Sequence, residues 1–310
     1  MLVTGGSGFL GTHLVRALLA RGDEVTVLDR AGTTPCAGAA VVAADLLEAD
    51  AAPLLADGRF HAVFHLAGNV EVPLSVERPD LDLALNAETT LRMLEALRRA
   101  APATGLLLTS TAAIYGEAPE GPCAESQPPA PVAPYGASKW VAESYVALYA
   151  RRFGLRTSRA RIFSMYGPGL RKHVVHDLIA KLHRDPGRLA VSGDGEQVRD
   201  FIYVEDAVAA LLRIADVSPG RGEAVNVARG EPVRIADLAR AVGRACGASP
   251  RIEFVGGEGP GRSRRWLADV SRLAGLGFRP RVGLEEGLAR TVAWYRETSA
   301  ADGVPTHVGR

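Results

Sequence analysis

Apolar positions along the chain follow two alternating rhythms. Short apolar or β-branched runs occur at MLVT (1–4), EVTVLD (24–29), AVVAAD (40–45), AVFHLAG (62–68), GLLLTS (105–110) and LRTSRARIF (155–163). Runs of this length, bounded by Gly, Asp or Ser, predict buried strands. Between them FLGTHLVRALLARG, LNAETTLRMLEALRRA and GASKWVAESYVALYARRFG space their apolar residues three and four apart, which predicts helices. Gly22 and Gly154 stand where helix C-caps belong. Strands alternating with helices predict an α/β fold, a doubly wound parallel sheet of Rossmann type covered on both faces.

Beyond Gly167 the rhythm breaks. Pro and Gly become frequent in YGPGLRKH, RDPGRLAVSGDGEQ and GGEGPGRSRR, and the elements shorten. The expected organisation is a Rossmann domain over 1–165, to which a later strand and helix around 200–228 return. A smaller mixed α/β substrate domain covers 166–300, and 301–310 is expected to be a flexible tail.

The first strand-to-helix junction carries chemistry. LVTGGSGFLG sets Gly5, Gly8 and Gly11 between them, where a tight turn lets backbone approach a pyrophosphate. The helix N-terminus adds unpaired N–H groups and the positive end of its dipole. Asp29 closes the second strand, the position from which a carboxylate accepts hydrogen bonds from an adenosine ribose. A 2′-phosphate would meet that carboxylate at close range, so NAD is favoured over NADP. Arg30 offers some phosphate affinity and leaves the preference short of absolute.

Composition narrows the partners. The chain has 310 residues, 47% apolar and 23% charged, with a net charge of +1. That balance argues against a nucleic-acid partner or an anionic membrane. Cys36, Cys123 and Cys246 lie far apart without a C-x-x-C, as scattered reduced thiols do. No apolar run reaches the roughly 18 residues of a membrane span. The sequence opens on a strand, leaving no room for a signal peptide, so a cytoplasmic protein is expected.

The basic residues are uneven. Of 36 Lys and Arg only Lys139, Lys172 and Lys181 are lysines. Lys139 follows Tyr135 by four residues at the start of a predicted helix, on one face with it. Free tyrosine, with a pKa of about 10, is a poor base at neutral pH. A cation within about 4–6 Å lowers such a pKa by about 1–3. Lysine, a compact point donor, reaches a ribose hydroxyl and the phenol's surroundings where a planar guanidinium fork does not. Y-x-x-x-K recurs by chance; beside the glycine turn it points to a tyrosine acid/base.

These motifs, with AADL (43–46), HLAG (65–68), TSTAAIYG (109–116), PYGASK (134–139), YGPG (166–169), GDGEQVRDFIYVEDAV (193–208) and LADVSRLAGLGFRPRVGLEEGL (267–288), run in order through nearly the whole chain. The set resembles the extended short-chain dehydrogenase/reductases, and among them the NAD-dependent nucleotide-sugar epimerase/dehydratase group typified by UDP-glucose 4-epimerase. The resemblance implies catalysis by Thr111, Tyr135 and Lys139. It implies an NAD site drawn from Gly5, Gly8, Phe9, Leu10, Gly11, Asp29, Arg30, Asp45, Leu46, Leu66, Ala67, Gly68 and Thr109, with Tyr135 and Lys139. Asn86 takes the place of a helix asparagine that steadies neighbouring backbone. The nucleotide sugar, UDP-linked by this resemblance, would meet Thr111, Tyr135, Ser164, Arg171, Val174, Val191, Arg199 and Arg262, with Arg199 on the diphosphate. No metal site is implied, and a homodimer is.

Two departures stand out. Ser164 replaces an asparagine common in relatives, so sugar contacts differ there. The Arg-x-Gly-Asp of relatives is absent: Gly259 falls at its arginine and Arg262 at its aspartate, so the phosphate role passes to Arg262, Arg264 or a partner loop. The 4,6-dehydratases carry acids after the strand-end threonine, whereas this chain has Ala112 and Ala113. The expected activity is C4 epimerisation of a UDP-hexose or UDP-hexuronic acid through a 4-keto sugar. The alternative is an NAD(P)H-dependent 4-ketosugar reductase. Arg171 and Lys172 after YGPG suit a substrate carboxylate or a solvated loop equally.

Overall fold

The computed structural model describes residues 1–33, 36–117, 121–256 and 264–301. Its strands are β1 Leu2–Thr4, β2 Thr26–Asp29, β3 Ala40–Ala43, β4 Ala62–His65, β5 Gly105–Thr111, β6 Thr157–Ile162, β7 Ser164–Tyr166, β8 Arg188–Ser192, β9 Val198–Tyr203, β10 Arg221–Val227, β11 Pro232–Arg234, β12 Arg251–Val255 and β13 Arg265–Trp266. Seven form one sheet in the order β10-β6-β5-β4-β1-β2-β3. Every pairing in it is parallel. The order reverses between β1 and β4, the crevice where open α/β sheets bind ligands.

Period-two alternation divides the core. Val3 faces Leu14, Leu18, Val208 and Leu211, from the Phe9–Ala20 and Val204–Val217 helices. Leu2 faces Met93, Leu94, Leu97 and Val146 on the opposite side, from the Thr89–Ala100 and Pro134–Phe153 helices. Each such side chain, fully buried, contributes about 1.5–3 kcal/mol. Apolar residues on both faces of the interior strands make those runs continuous in the sequence, whereas β3, at the sheet edge, is mostly exposed where a buried strand was expected.

Five of the six strands are one to three residues shorter than the predicted runs, and β5 extends one residue further, to Thr111. A larger difference lies upstream of LNAETTLRMLEALRRA. Helix starts at Pro79 and continues through a π-helical turn, Ala84–Glu88, into Thr89–Ala100. Asn86 sits in that turn. Wide turns of this kind often mark functional positions.

The second lobe packs β8, β9 and their neighbours against the His173–Arg184, Ile235–Ala245 and Leu284–Ala301 helices. Asp200 on β9 is fully buried and accepts backbone N–H bonds from Arg229 at 2.9 Å, Gly230 at 2.9 Å and Ala268 at 3.2 Å. It ties three separate segments together. The chain then re-enters the large sheet through Val204–Val217 and β10. Ala301, expected in the tail, ends the last helix; 302–310 lie outside the described residues. No helix among the described residues is long and apolar enough to cross a membrane.

Candidate active site

The glycine turn sits at the C-terminal end of β1. Gly5 has φ +69°, and a Cβ there would lie 2.8 Å from the Ala67 nitrogen. A Cβ on Gly11 would strike the Gly5 carbonyl. The turn at the start of the Phe9–Ala20 helix is therefore closed to larger residues. Gly8 occupies that helix's N-cap with no side chain satisfying the first N–H groups. Asp29 is drawn to the turn: Ser7 N donates to its Oδ2 at 2.9 Å and Arg30 N to its Oδ1 at 2.9 Å. Each oxygen keeps a lone pair for a ribose hydroxyl. The Ser7 hydroxyl is buried without a partner. A cradle without side chains, an orphaned hydroxyl and a carboxylate at its rim fit a dinucleotide.

Phe9 stacks edge-on with His13 at 5.5 Å, and His13 Nε2 lies 2.7 Å from the Pro168 carbonyl oxygen. The YGPG loop thus lies against the first turn of this helix. Leu10 packs against the core beneath. Arg30 is exposed. Asp45 Oδ1 accepts from Leu47 N at 2.8 Å, and Leu46 is a core residue at 4% exposure. Of this pair, only Asp45 presents a polar side chain.

Leu66, Ala67 and Gly68 follow β4 across the crevice. Thr4 Oγ1 accepts from Ala67 N at 3.2 Å and lies 2.8 Å from His65 Nδ1. His65 is fully buried, and its Nε2 has no partner. Burial, then the Lys139 charge, pulls its pKa down to about 3, so it is neutral near pH 7.

Tyr135 and Lys139 occupy the first turns of the Pro134–Phe153 helix, where Pro134 holds the first helical position. Thr111 ends β5 and caps the short turn after it, accepting from Ala113 N at 3.2 Å. Its side chain is hydrogen-bonded to the Tyr135 hydroxyl. Lys139 is 4% exposed and donates to the Thr109 carbonyl at 3.4 Å. Thr109 Oγ1 in turn donates to the His65 carbonyl at 3.2 Å. The structure therefore brings Thr111, Tyr135, Lys139 and Thr109 together at the crevice.

The electrostatics correct one expectation, that Lys139 lowers the Tyr135 pKa. Instead burial dominates and pushes Tyr135 up to about 12; the Thr111 bond opposes the rise and Asp82 adds to it. Burial likewise draws Lys139 down to about 8, while Asp82 and Glu143 hold it up. Both groups sit in surroundings poor enough in water that desolvation outweighs their mutual effect.

Asp82 escapes a reading of the sequence. It is fully buried and accepts from Asn69 Nδ2 at 2.7 Å, Asn86 Nδ2 at 2.9 Å and Ser138 Oγ at 2.6 Å. Asn86, expected to steady backbone, reaches side chains instead: its Nδ2 meets Asp82 and Ser138, the latter at 3.0 Å. Its Oδ1 is buried without a partner. A Cβ at Gly68 would lie 2.5 Å from that oxygen and 3.2 Å from Lys139 Nζ. The available signal is the one-turn spacing of Asp82 and Asn86, hidden because DLDLALN reads as alternating and exposed. Glu143 escapes it too: fully buried, it takes Arg161 Nε at 3.0 Å and Nη2 at 2.8 Å, pinning the helix to β6.

On the second lobe, Ser164 lies on β7 opposite Phe201. Arg199 on β9 donates to the Val198 carbonyl at 2.8 Å and stacks 4.9 Å from the Trp266 ring. Arg171 stacks 5.9 Å from the Trp294 ring, while Lys172 pairs with Glu71 at 3.0 Å. Val174 flanks the lobe's core, and Val191 is inside it at 2% exposure, so its side chain packs the lobe. Arg262 and Gly259 lie outside the described residues. Arg264 pairs with Asp194 at 2.7 Å.

Comparison with known proteins places this geometry. The NAD dependent epimerase/dehydratase family model matches residues 1–228. A UDP-glucose 4-epimerase of Mycolicibacterium smegmatis is 34% identical, covering 96% of this chain and 99% of that one. A dTDP-glucose 4,6-dehydratase of Actinoplanes is 33% identical over 96% of this chain and 97% of its own length. Among solved structures, the Thermus thermophilus UDP-glucose 4-epimerase complex with NAD superposes with a TM-score of 0.86 at 34% identity, covering 95% of this chain and 98% of that one. MoeE5 in complex with UDP-glucuronic acid and NAD gives 0.87 at 32% identity, covering 96% and 99%.

Proposed function

The chain belongs to the NAD-dependent epimerase/dehydratase family, uses NAD, and we propose that it is a UDP-sugar 4-epimerase. The substrate is a UDP-hexose or UDP-hexuronic acid, as in the neighbours solved with UDP-glucose and with UDP-glucuronic acid. The observation that carries the reading is the strand end: Thr111 bonded to Tyr135, followed by Ala112 and Ala113 where elimination of water needs acids.

Tyr135 takes the proton of the sugar 4-hydroxyl, and the Thr111 hydroxyl stabilises the oxygen that carries the charge. NAD held in this cradle would supply the hydride acceptor and donor at C4 and, while oxidised, positive charge beside the phenol. Lys139 supplies a second cation and would donate to the ribose. Tyr135 then gives its proton back to the new hydroxyl. Gly5, Gly8, Gly11 and Gly68 would cradle the cofactor, Asp29 would hold its adenosine ribose, and Arg199 would meet the sugar nucleotide's diphosphate. Exposed Leu83, Trp140 and Leu148, on the Pro79–Leu83 and Pro134–Phe153 helices, support a homodimer built on that face.

Incubating C4-deuterated UDP-glucose or UDP-glucuronic acid with enzyme and catalytic NAD, followed by NMR, tests the reading. The C4 epimer should form without added reductant and keep its deuterium. Stoichiometric consumption of NADH with a 4-keto sugar, and no epimer from either substrate, moves the protein to the reductases.

A further inference from the structure

A cleft of about 550 Å³ opens at the β10 edge of the large sheet, away from the glycine turn. One wall is the far end of the catalytic helix, at Ala147 and Arg151. Arg151 follows Tyr135 by sixteen residues, or about 24 Å at the helical rise of about 1.5 Å per residue. The opposite wall is β10 and the turn before it.

The lining is divided by chemistry. Ala147, Val225 and Leu276 give it apolar surface, while Arg151, Arg159, Arg221 and Arg272 give it four cations against one acid, Glu223. The Glu223 carboxylate accepts from Gly220 N at 3.0 Å, Arg221 N at 2.7 Å and Ser158 Oγ at 3.3 Å, which turns it onto its own loop. Arg272 gives one nitrogen to the Ala224 carbonyl at 2.6 Å, and its Nε lies 4.0 Å from Glu125 Oε2. Arg151 and Arg221 are exposed and form no side-chain ion pair among the described residues.

Arg159 is the informative member. Its Nη1 reaches Glu143 at 3.1 Å, but its Nε–H is buried with no acceptor. A buried donor left unanswered is destabilising, and native proteins rarely keep one without reason. Burial lowers its pKa, and the nearby Arg161 and Arg272 charges add to the lowering while Glu143 and Glu223 oppose it. An anion in the cleft would relieve the crowding of like charge.

We propose that this cleft is a second binding site, distinct from the epimerase site, for a small organic phosphate. The four arginines come to it from separate elements, the Pro134–Phe153 helix, β6, β10 and the Ser271–Gly275 segment. A planar carboxylate matches one or two of them, whereas a tetrahedral phosphate presents three oxygens in different directions. The apolar lining takes the carbon body. A volume of this size suits a metabolite rather than a lone ion.

The test is calorimetric titration of phenyl phosphate into the full-length protein, with the nucleotide sites filled by NAD and UDP. The expected result is one equivalent bound, with inorganic phosphate at least about tenfold weaker for lack of the apolar contact. Arg151→Gln and Arg221→Gln, tested singly at these exposed positions, should each weaken phenyl phosphate by about tenfold while melting curves stay unchanged. Absence of binding to the nucleotide-filled protein, or undiminished affinity in both variants, overturns the proposal. Inorganic phosphate binding as tightly as phenyl phosphate overturns the organic ligand.

Discussion

Replacing Asp82 by asparagine removes a buried charge from behind Tyr135 and Lys139 while preserving side-chain shape. Asp82 holds Lys139 protonated against burial at about 8, and it raises Tyr135, with burial, to about 12. An opposite charge within about 4–6 Å moves a pKa by about 1–3, so Lys139 in Asp82→Asn should titrate near about 6.5. At about pH 7.5 the ammonium fraction then falls from about three-quarters to about one-tenth, a loss of about eightfold in kcat if the cation is needed. Tyr135 loses the same repulsion and ionises more easily. Both limbs of the kcat–pH profile therefore move to lower pH, and activity recovers toward about pH 6. The assay is kcat from about pH 5.5 to about 9.5 at saturating NAD and UDP-sugar, with a melting curve alongside. The asparagine has one acceptor oxygen where the carboxylate has two, so stability should drop by about 1–3 kcal/mol independently of the profile. A profile whose limbs stay at the wild-type pH values, whatever the height of kcat, refutes the electrostatic link and leaves Asp82 as a packing residue.

Tyr135→Phe should retain NAD, measured as nucleotide released on denaturation, and lose kcat by about 10²–10⁴, as removal of an acid/base does; near-normal turnover would remove Tyr135 from the chemistry. Lys139→Arg should also be slow, read in the same turnover assay, and parental activity there would show that a charge alone suffices. Glu143→Ala leaves Arg161, 4% exposed, without its buried partner, and should cost about 3–5 kcal/mol in urea unfolding; a loss below about 1 kcal/mol would make the pair dispensable. His65 has its folded pKa depressed to about 3 from 6.5, so its contribution is full above the unfolded value and is lost as pH falls through that range. Between about pH 7 and about pH 5 the loss is about 2 kcal/mol, which His65→Gln should lack. Equal acid sensitivity of the two proteins would contradict it.

The readable part of this chain is the part where one local rule decides. Continuous apolar runs bounded by turn residues are strands buried on two sides, so β1, β2, β4 and β5 are visible. Gly5 and Gly11 announce themselves because no other residue fits where they stand. The Tyr135–Lys139 spacing follows from one helical turn. What escapes depends on tertiary placement. The π-helical turn at Ala84–Glu88 has no compositional mark of its own, and Asp82 looks solvated until Asn69 and Ser138 arrive from elsewhere in the chain. The rise of the Tyr135 pKa is illegible for the same reason, since spacing shows a charge four residues away but not how much water both groups have lost. The arginine cleft joins residues from β6, β10, the catalytic helix and the Ser271–Gly275 segment, and a net charge of +1 gives no hint of it.

The use of lysine at 139, in a chain with 33 arginines, follows from the wall it meets. Arg161 shows what the guanidinium is suited to: a planar fork on Glu143, one nitrogen to each oxygen, at 3.0 and 2.8 Å. Lys139 feels the Asp82 and Glu143 charges, but its hydrogen bond goes to a backbone carbonyl. Its Nζ lies against bare Gly68 backbone, beside the unpartnered Asn86 Oδ1, and reaches the Thr109 carbonyl at 3.4 Å. A fork has a second and third nitrogen to place, and the Gly68 side of this gap has no room for even a methyl group. Charge adds a second reason. Arginine stays protonated at any working pH, whereas an ammonium held at about 8 lies within reach of its neighbours' charges. Asp82 and Glu143 push it one way and burial the other, so the cation beside the reacting phenol can be tuned by residues that touch neither cofactor nor sugar.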